Sequence, residues 1–136
     1  GAVIRTAEAA GASGLIVSDR STAPLSPAVA RASAGAIDYL PISRVRNLVS
    51  AIRNLKKSGV WVVGVHPDAE TRWVDFDFTI PVALVLGGEQ RGIRPLVREK
   101  CDALVAFPML GKIESLNLSV AAGLALYEVV RQRNLG

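Results

Sequence analysis

The 136-residue sequence holds one cysteine, one histidine and one methionine. A lone cysteine, Cys101, excludes an internal disulfide framework. Cys101 and His66 together supply too few soft ligands for a structural zinc site, so no metal is expected. No apolar run reaches the roughly 18 residues that a membrane span requires, so no membrane partner is expected. No signal peptide is visible. These absences fit a protein of the reducing cytoplasm. The common nucleotide signatures are missing too. No G-x-G-x-x-G follows a strand, and no Gly-Lys-Ser/Thr closes a phosphate loop.

What remains is a compact globular composition. Half the residues are hydrophobic and 21% are charged, which excludes a disordered chain and suits one domain with a buried core. The formal net charge is +4, and twelve of the sixteen basic residues are arginines. Arginine matches phosphate with two parallel hydrogen bonds, so the balance leans towards a polyanionic partner.

Strand and helix patterns alternate along the chain. Residues 1–11 read as a helix ended by glycine, and 14–18 as a short buried strand. Leu25 to Gly35 reads as a helix, with Ser26 as cap and Pro27 in its first turn. A short extended piece around Pro41 precedes the clearest amphipathic helix, Ser43 to Gly59. There Val45, Leu48, Val49, Ile52 and Leu55 form one stripe. Further strands are expected over 60–65, 81–88 and 103–109, with a polar loop over 66–78 and a short helix over 94–102. The last helix is expected from Ser115 to about Asn134. The strands are apolar without alternation, as in a parallel sheet covered on both faces. A single α/β domain spanning 1–136 is the expectation.

In open parallel sheets, ligands gather where strands end. Three such ends carry polar or glycine-rich sequence: "GVHPD", "LGGEQRG" and "FPMLGKIESLNLS". Three glycines, an acid and an arginine share the second, with Arg94 and Arg98 beyond it. In the third, Ser115, Asn117 and Ser119 open a helix that is otherwise apolar. One of them suffices as a cap. Buried polar groups left unpaired cost about 1–3 kcal/mol each, so a loop or ligand is expected to complete the others. Arg5 stands among Ala, Val, Ile and Thr, with Glu8 one turn on as an alternative partner.

Taken together, "GAVIRTAEAAG" (1–11), "ALVLGGEQRGI" (83–93) and "FPMLGKIESLNLSVAAGLALYE" (107–128) resemble the three motifs of the SpoU family of RNA ribose 2′-O-methyltransferases, within the SPOUT superfamily. The resemblance runs over essentially the whole chain, in order and in spacing. It implies a parallel α/β fold with a deep C-terminal trefoil knot, an exception to the rule against knots. It implies a homodimer and S-adenosyl-L-methionine held through main-chain groups. By similarity, Leu86, Gly87, Gly88, Phe107, Met109 and Leu116 stand at cofactor-contacting positions. Arg5, Glu89, Ser115 and Asn117 stand at catalytic ones. Arg91, Arg94 and Lys112 flank the motifs and are the expected RNA contacts.

The implied reaction is methyl transfer to a ribose 2′-hydroxyl. The RNA is expected to be ribosomal, a guanosine of the large subunit (23S), with transfer RNA or a non-catalytic RNA-binding module as alternatives. The family pattern also has an Asn two residues before Gly1, in a first strand that this sequence lacks. The N-terminal RNA-binding domain of many relatives is likewise not expected within residues 1–136. Elsewhere, His66 reads as a loop residue and Cys101 as a packing residue. Trp61 and Trp73 suit core or interface.

Overall fold

A computed structural model of the chain describes residues 1–18, 31, 33–88 and 92–135. Among these, helices α1 (Ala2–Ala9), α2 (Leu48–Lys57), α3 (Pro95–Lys100) and α4 (Leu118–Leu135) surround six strands. The strands are β1 (Leu15–Ser18), β2 (Ile42–Val45), β3 (Trp61–Val65), β4 (Thr71–Arg72), β5 (Val82–Val85) and β6 (Ala103–Ala106). Every ladder between them is parallel. They form a two-stranded sheet, β1-β2, and a four-stranded sheet in the order β4-β6-β3-β5.

The central strand β3 explains the unbroken apolar pattern. Successive side chains of a strand point to opposite faces, and both faces of β3 are covered. Val62 packs with Ile52, Ile93 and Val97 under α2 and α3. Val63 packs with Phe78, Val105 and Val129 under α4. Both valines are fully buried. A third cluster, Ile4, Ala7, Ala36 and Leu40, joins α1 to the smaller sheet, with Leu15, Ile42 and Leu126 against it.

Helix ends follow local chemistry. Asn47 caps α2, its Oδ1 accepting from the Ser50 N–H at 3.2 Å. Lys56 and Lys57 occupy its last turn, where cations offset the helix dipole. Pro95 fills the first position of α3, where its missing N–H costs nothing. Gly11 and Gly59 follow α1 and α2 at φ 78° and 85°, a left-handed turn that glycine adopts freely.

Several expectations need correction. The amphipathic helix does not start at Ser43. Ile42–Val45 is strand β2, in parallel register with β1 from Leu15↔Ile42 to Ser18↔Val45. Pairing with a partner distant in sequence outweighs a helical stripe that Val45 extends only by coincidence. The last helix starts at Leu118, not Ser115, because Asn117 is the residue that caps it. Its opening is not buried either, since Ser115 and Asn117 are exposed. The polar loop 66–78 contains β4, a 3-10 turn at Trp73–Asp75 and the fully buried Phe78. Two sheets are described where one was expected. The expected helix Leu25–Gly35 lies largely outside the described residues.

Candidate active site

Parallel strands send their following loops to one edge of the sheet. β3 lies between β5 and β6, so the loops after β5 and β6 leave on either side of the segment after β3. Three segments therefore meet at this edge: Leu86–Gly88, the stretch from His66, and Phe107–Asn117. All three are the strand ends singled out in the sequence, and the sheet order places the His66 segment between the other two.

The first loop is built backbone against backbone. A Cβ on Gly87 would lie 2.0 Å from the Gly92 carbonyl carbon and 2.3 Å from the Ile93 nitrogen. Gly92 donates its N–H back to the Gly88 oxygen at 2.9 Å, and the two form an antiparallel bridge. Gly92 itself has φ 61°. The close approach at Gly87 is thus made by the chain's own backbone. At Gly88 the space beside Cα meets none of the described residues within 4 Å. Glu89 and Arg91 lie outside the described residues.

The second loop, 107–117, has no regular structure. Phe107 is half-buried and meets Trp73 edge to face, centroids 5.2 Å apart. This contact fixes where the loop begins, and Trp73 carried no such role in the sequence reading. Met109 and Leu116 are half-buried, while Leu110 and Lys112 are exposed. Asn117 then starts α4. Its Oδ1 accepts from the Ser119 N–H at 2.9 Å and from the Ser119 hydroxyl. That bonding accounts for two of the three polar side chains without any ligand. Ser115 is the one with no partner among the described residues.

Between the loops, the His66 N–H donates to the Val105 oxygen at 2.9 Å. The Asp68 N–H donates to His66 Nδ1 at 3.1 Å. That bond needs a lone pair on Nδ1, so the neutral ring carries its proton on Nε2. The 3.9 Å approach of Asp68 Oδ2 to Nδ1 is therefore no ion pair in this form.

Arg5 is exposed on α1. Its helix packs on α4, where Thr6 Cγ2 lies 3.7 Å from the Cβ position of Gly123. Among the described residues its guanidinium bonds neither Glu8 nor Ser115 nor Asn117. A groove of about 260 Å³ beside it is lined by Glu8, Ser33, Ala36 and Tyr39. Arg94 is exposed immediately before α3, and Arg98 is half-buried within it. Burial first, and Asp102 second, push the Cys101 thiol up, so it stays protonated near neutral pH.

The described residues of this edge offer apolar surface and main-chain groups. Half-buried Leu86, Phe107, Met109 and Leu116 offer apolar surface, and Gly88 leaves main chain accessible. Among the described residues no cluster of His, Cys, Asp and Glu could hold a metal ion. No helix among them is long and apolar enough to cross a membrane.

Comparison with known proteins bears on the same residues. The family model of the SpoU rRNA methylases matches residues 1–127. The chain is 47% identical over 134 residues to YacO of Bacillus subtilis (strain 168), named for the TrmH family of tRNA/rRNA methyltransferases. That alignment takes in 98% of this chain and 54% of YacO. It is 47% identical over 135 residues to the 23S rRNA (guanosine-2'-O-)-methyltransferase RlmB of Xylella fastidiosa, covering 99% of this chain and 54% of that one. Among solved structures, the SpoU methyltransferase AviRb from Streptomyces viridochromogenes, in complex with AdoMet, superposes with a TM-score of 0.90 at 36% identity. The match covers 99% of this chain and 55% of AviRb. The chain thus spans about half the length of the curated relatives it matches.

Proposed function

The chain belongs to the SpoU rRNA methylase family, and on that premise we propose that it carries the catalytic half of an RNA ribose 2′-O-methyltransferase. The proposed substrate is a guanosine of 23S ribosomal RNA, as in the name of the Xylella fastidiosa relative, and the proposed compartment is the cytoplasm. The observation that carries this reading is the meeting of the Gly87–Gly88 turn and the 107–117 loop on either side of β3. The methyl donor is S-adenosyl-L-methionine, which supplies a methyl group on a positively charged sulfur, open to in-line displacement.

The residues divide the work as follows. Gly88 offers its main chain, while Leu86, Phe107, Met109 and Leu116 bracket an adenine. The C-terminal part of the chain is threaded as the deep trefoil knot, a reading that rests on membership of the family. A ribose hydroxyl is a weak nucleophile that must shed its proton as it attacks. Arg5, with its guanidinium free among the described residues, holds the neighbouring phosphate and stabilises developing negative charge. An arginine keeps its proton in proteins, so it is not the base. The hydroxyl proton would pass to a phosphate oxygen or to water as the C–O bond forms and the C–S bond breaks, the donor leaving as a neutral thioether. Ser115 orients the ribose. Asn117 holds the start of α4 beneath it, and Glu89 braces the loop. Arg91, Arg94 and Lys112 meet RNA phosphates. A second copy of this chain covers the exposed apolar side chains of α4 and completes a homodimer.

The test is methylation of large-subunit rRNA transcripts with labelled cofactor, followed by mapping of the product. A 2′-O-methylated guanosine in 23S rRNA is expected, and a methylated base would overturn the reading. A product found only in transfer RNA would keep the reaction and change the substrate. Arg5→Ala is expected to lower kcat by 100-fold or more while calorimetry finds cofactor affinity within a few-fold of wild type. Equal loss of both would place Arg5 in the cofactor site instead.

A further inference from the structure

A second basic concavity lies away from this edge. A groove of about 390 Å³ runs between α2 and α3, lined by Val49, Ile52, Arg53, Lys56, Lys57 and Lys100. The five α2 residues follow the i, i+3, i+4, i+7, i+8 spacing of a single helix face. That face starts apolar, with Ile52 buried in the core, and turns wholly basic in its last turn and a half.

One of the four cations is already committed. Lys56 Nζ donates to the Lys100 carbonyl at 3.1 Å and lies 3.4 Å from Asp102 Oδ1. Asp102 is in turn fixed by the Val62 N–H, 2.8 Å from its Oδ2. These bonds pin the end of α3 to the end of α2 and set the width of the groove. Arg53, Lys57 and the Lys100 ammonium have no hydrogen bond or ion pair among the described residues.

Helix dipoles do not account for this charge. The C-terminal ends of α2 and α3 contribute at most about half a negative charge each. With Asp102 that makes roughly two negative charges against four cations, so about two positive charges remain. Arg53 also sits a full turn before the end of α2, too early to serve the dipole.

The basic end of the groove lies towards the opposite edge of the sheet from the candidate active site. α2 leads directly into the start of β3 at Trp61, and Lys100 stands three residues before the start of β6 at Ala103. The methionine loop leaves from the far end of β6, and the glycine loop from the far end of β5, which runs parallel to β3. Four or five residues at about 3.3 Å each put roughly 15 Å of strand between the two edges. A ligand engaging both edges must therefore span roughly 15 Å and carry negative charge where it meets the basic end.

We propose that Arg53, Lys57 and Lys100 form a second RNA-backbone site, which grips phosphodiester groups several nucleotides away from the methylated ribose. This rests on the RNA-methyltransferase reading. It adds that the domain senses RNA length, and that the contact is sequence-independent, as phosphate contacts are.

The experiment uses the full chain with Arg53, Lys57 and Lys100 all replaced by Gln. Two RNAs are compared, a large-subunit rRNA domain transcript and a short hairpin of it carrying only the methylated nucleotide. Filter binding over a series of KCl concentrations gives affinity and salt slope, and calorimetry gives cofactor affinity. For the long RNA, affinity is expected to fall at least tenfold. The slope of log K against log salt should flatten by roughly 2, since each lost phosphate contact removes about 0.7–0.9. Cofactor affinity, affinity for the hairpin, and kcat should stay at wild-type values, with KM raised for the long RNA alone.

Unchanged affinity and salt slope for the long RNA, with cofactor binding intact, would overturn the proposal. Equal weakening for both RNAs would overturn it too, by placing these side chains at the target nucleotide. Should the triple variant fail to fold, Lys57→Gln alone must still flatten the slope by about 0.7–0.9. If wild type transfers no methyl group but binds long RNA through these residues, the enzymatic reading falls and the groove stands.

Discussion

A β-carbon on Gly87 would press on the carbonyl carbon of Gly92 at 2.0 Å, a backbone atom that no rotamer change can move aside. Overpacking of this kind costs about 1–3 kcal/mol, occasionally more. A β-carbon on Gly88, one residue on, meets none of the described residues within 4 Å. Gly87→Ala is therefore expected to abolish cofactor binding by displacing Gly92 and Ile93 and their bridge to Gly88, with a clear drop in melting temperature. Gly88→Ala is expected to fold as wild type and to weaken the cofactor only through its own methyl group. Calorimetry paired with thermal melts checks both, and equal melting temperatures for the two variants would contradict the packing argument. The pair "GG" in the sequence could not separate these roles. Both residues permit close approach, and only the position of Gly92 decides that the chain itself takes the space at Gly87. Ser115, Asn117 and Ser119 offered a similar ambiguity: three potential caps within five residues. The hydrogen bonds to Asn117 resolve it and leave Ser115 as the residue still to be matched with a substrate.

Helix α4 is fastened at its far end by side chains rather than by apolar contact alone. Gln132 Oε1 accepts from the Phe78 N–H at 2.6 Å, and its Nε2 donates to the Phe76 oxygen at 2.8 Å and to Glu128 Oε2 at 2.7 Å. Arg133 donates to the Phe78 and Ile80 oxygens at 3.0 and 2.8 Å. This latch holds the segment carrying Phe78 under the sheet. Gln132→Ala strands two part-buried backbone groups and is expected to cost about 1–3 kcal/mol in chemical denaturation. Glu128, buried beside it, has its carboxyl held below the ordinary value of 4.5 by the Arg131 hydrogen bonds first, and by Gln132 and the Arg131 charge besides. A depressed folded pKa gives stability that is complete above 4.5 and drains away as pH falls through the folded value. Glu128→Gln should therefore lose stability at pH 7 and show a flatter acid limb below 4.5. Parallel acid limbs for variant and wild type would exclude Glu128 from that transition.

At the same scale, the strands were legible because burial on both faces leaves an unbroken apolar run, as at Trp61–Val65 and Val82–Val85. The boundary between β2 and α2 was not. Ser43–Arg46 carries a helix-like pattern, and only the ladder to Leu15–Ser18 turns it into a strand. The Trp73–Phe107 contact joins residues far apart in sequence, and no local pattern announces it.

For the whole molecule, the distribution of exposed apolar surface is the feature a monomer does not explain. Val120, Leu124 and Tyr127 are 50%, 42% and 48% exposed, and their i, i+4, i+7 spacing puts them along one face of α4. Leu110 and Ile113, in the loop that leads into this helix, are 95% and 77% exposed. Single exposed hydrophobes are ordinary, but a helix face of them continued by a loop marks an interface. The proposed homodimer places a second copy on this face. The partner would then lie beside the 107–117 loop and Asn117, so dimer and site would form together. The double variant Val120→Glu/Leu124→Glu puts carboxylates where the proposed contact is driest. It is expected to sediment as a monomer at micromolar concentration, with unchanged helical circular dichroism, because neither residue lies in the buried clusters. Cofactor affinity is expected to fall by at least tenfold, since the 107–117 loop loses the surface that orders it. A double variant that stays dimeric would move the interface off α4. A monomer with wild-type cofactor affinity would separate assembly from the site, and Leu110 and Ile113 would then need another occupant.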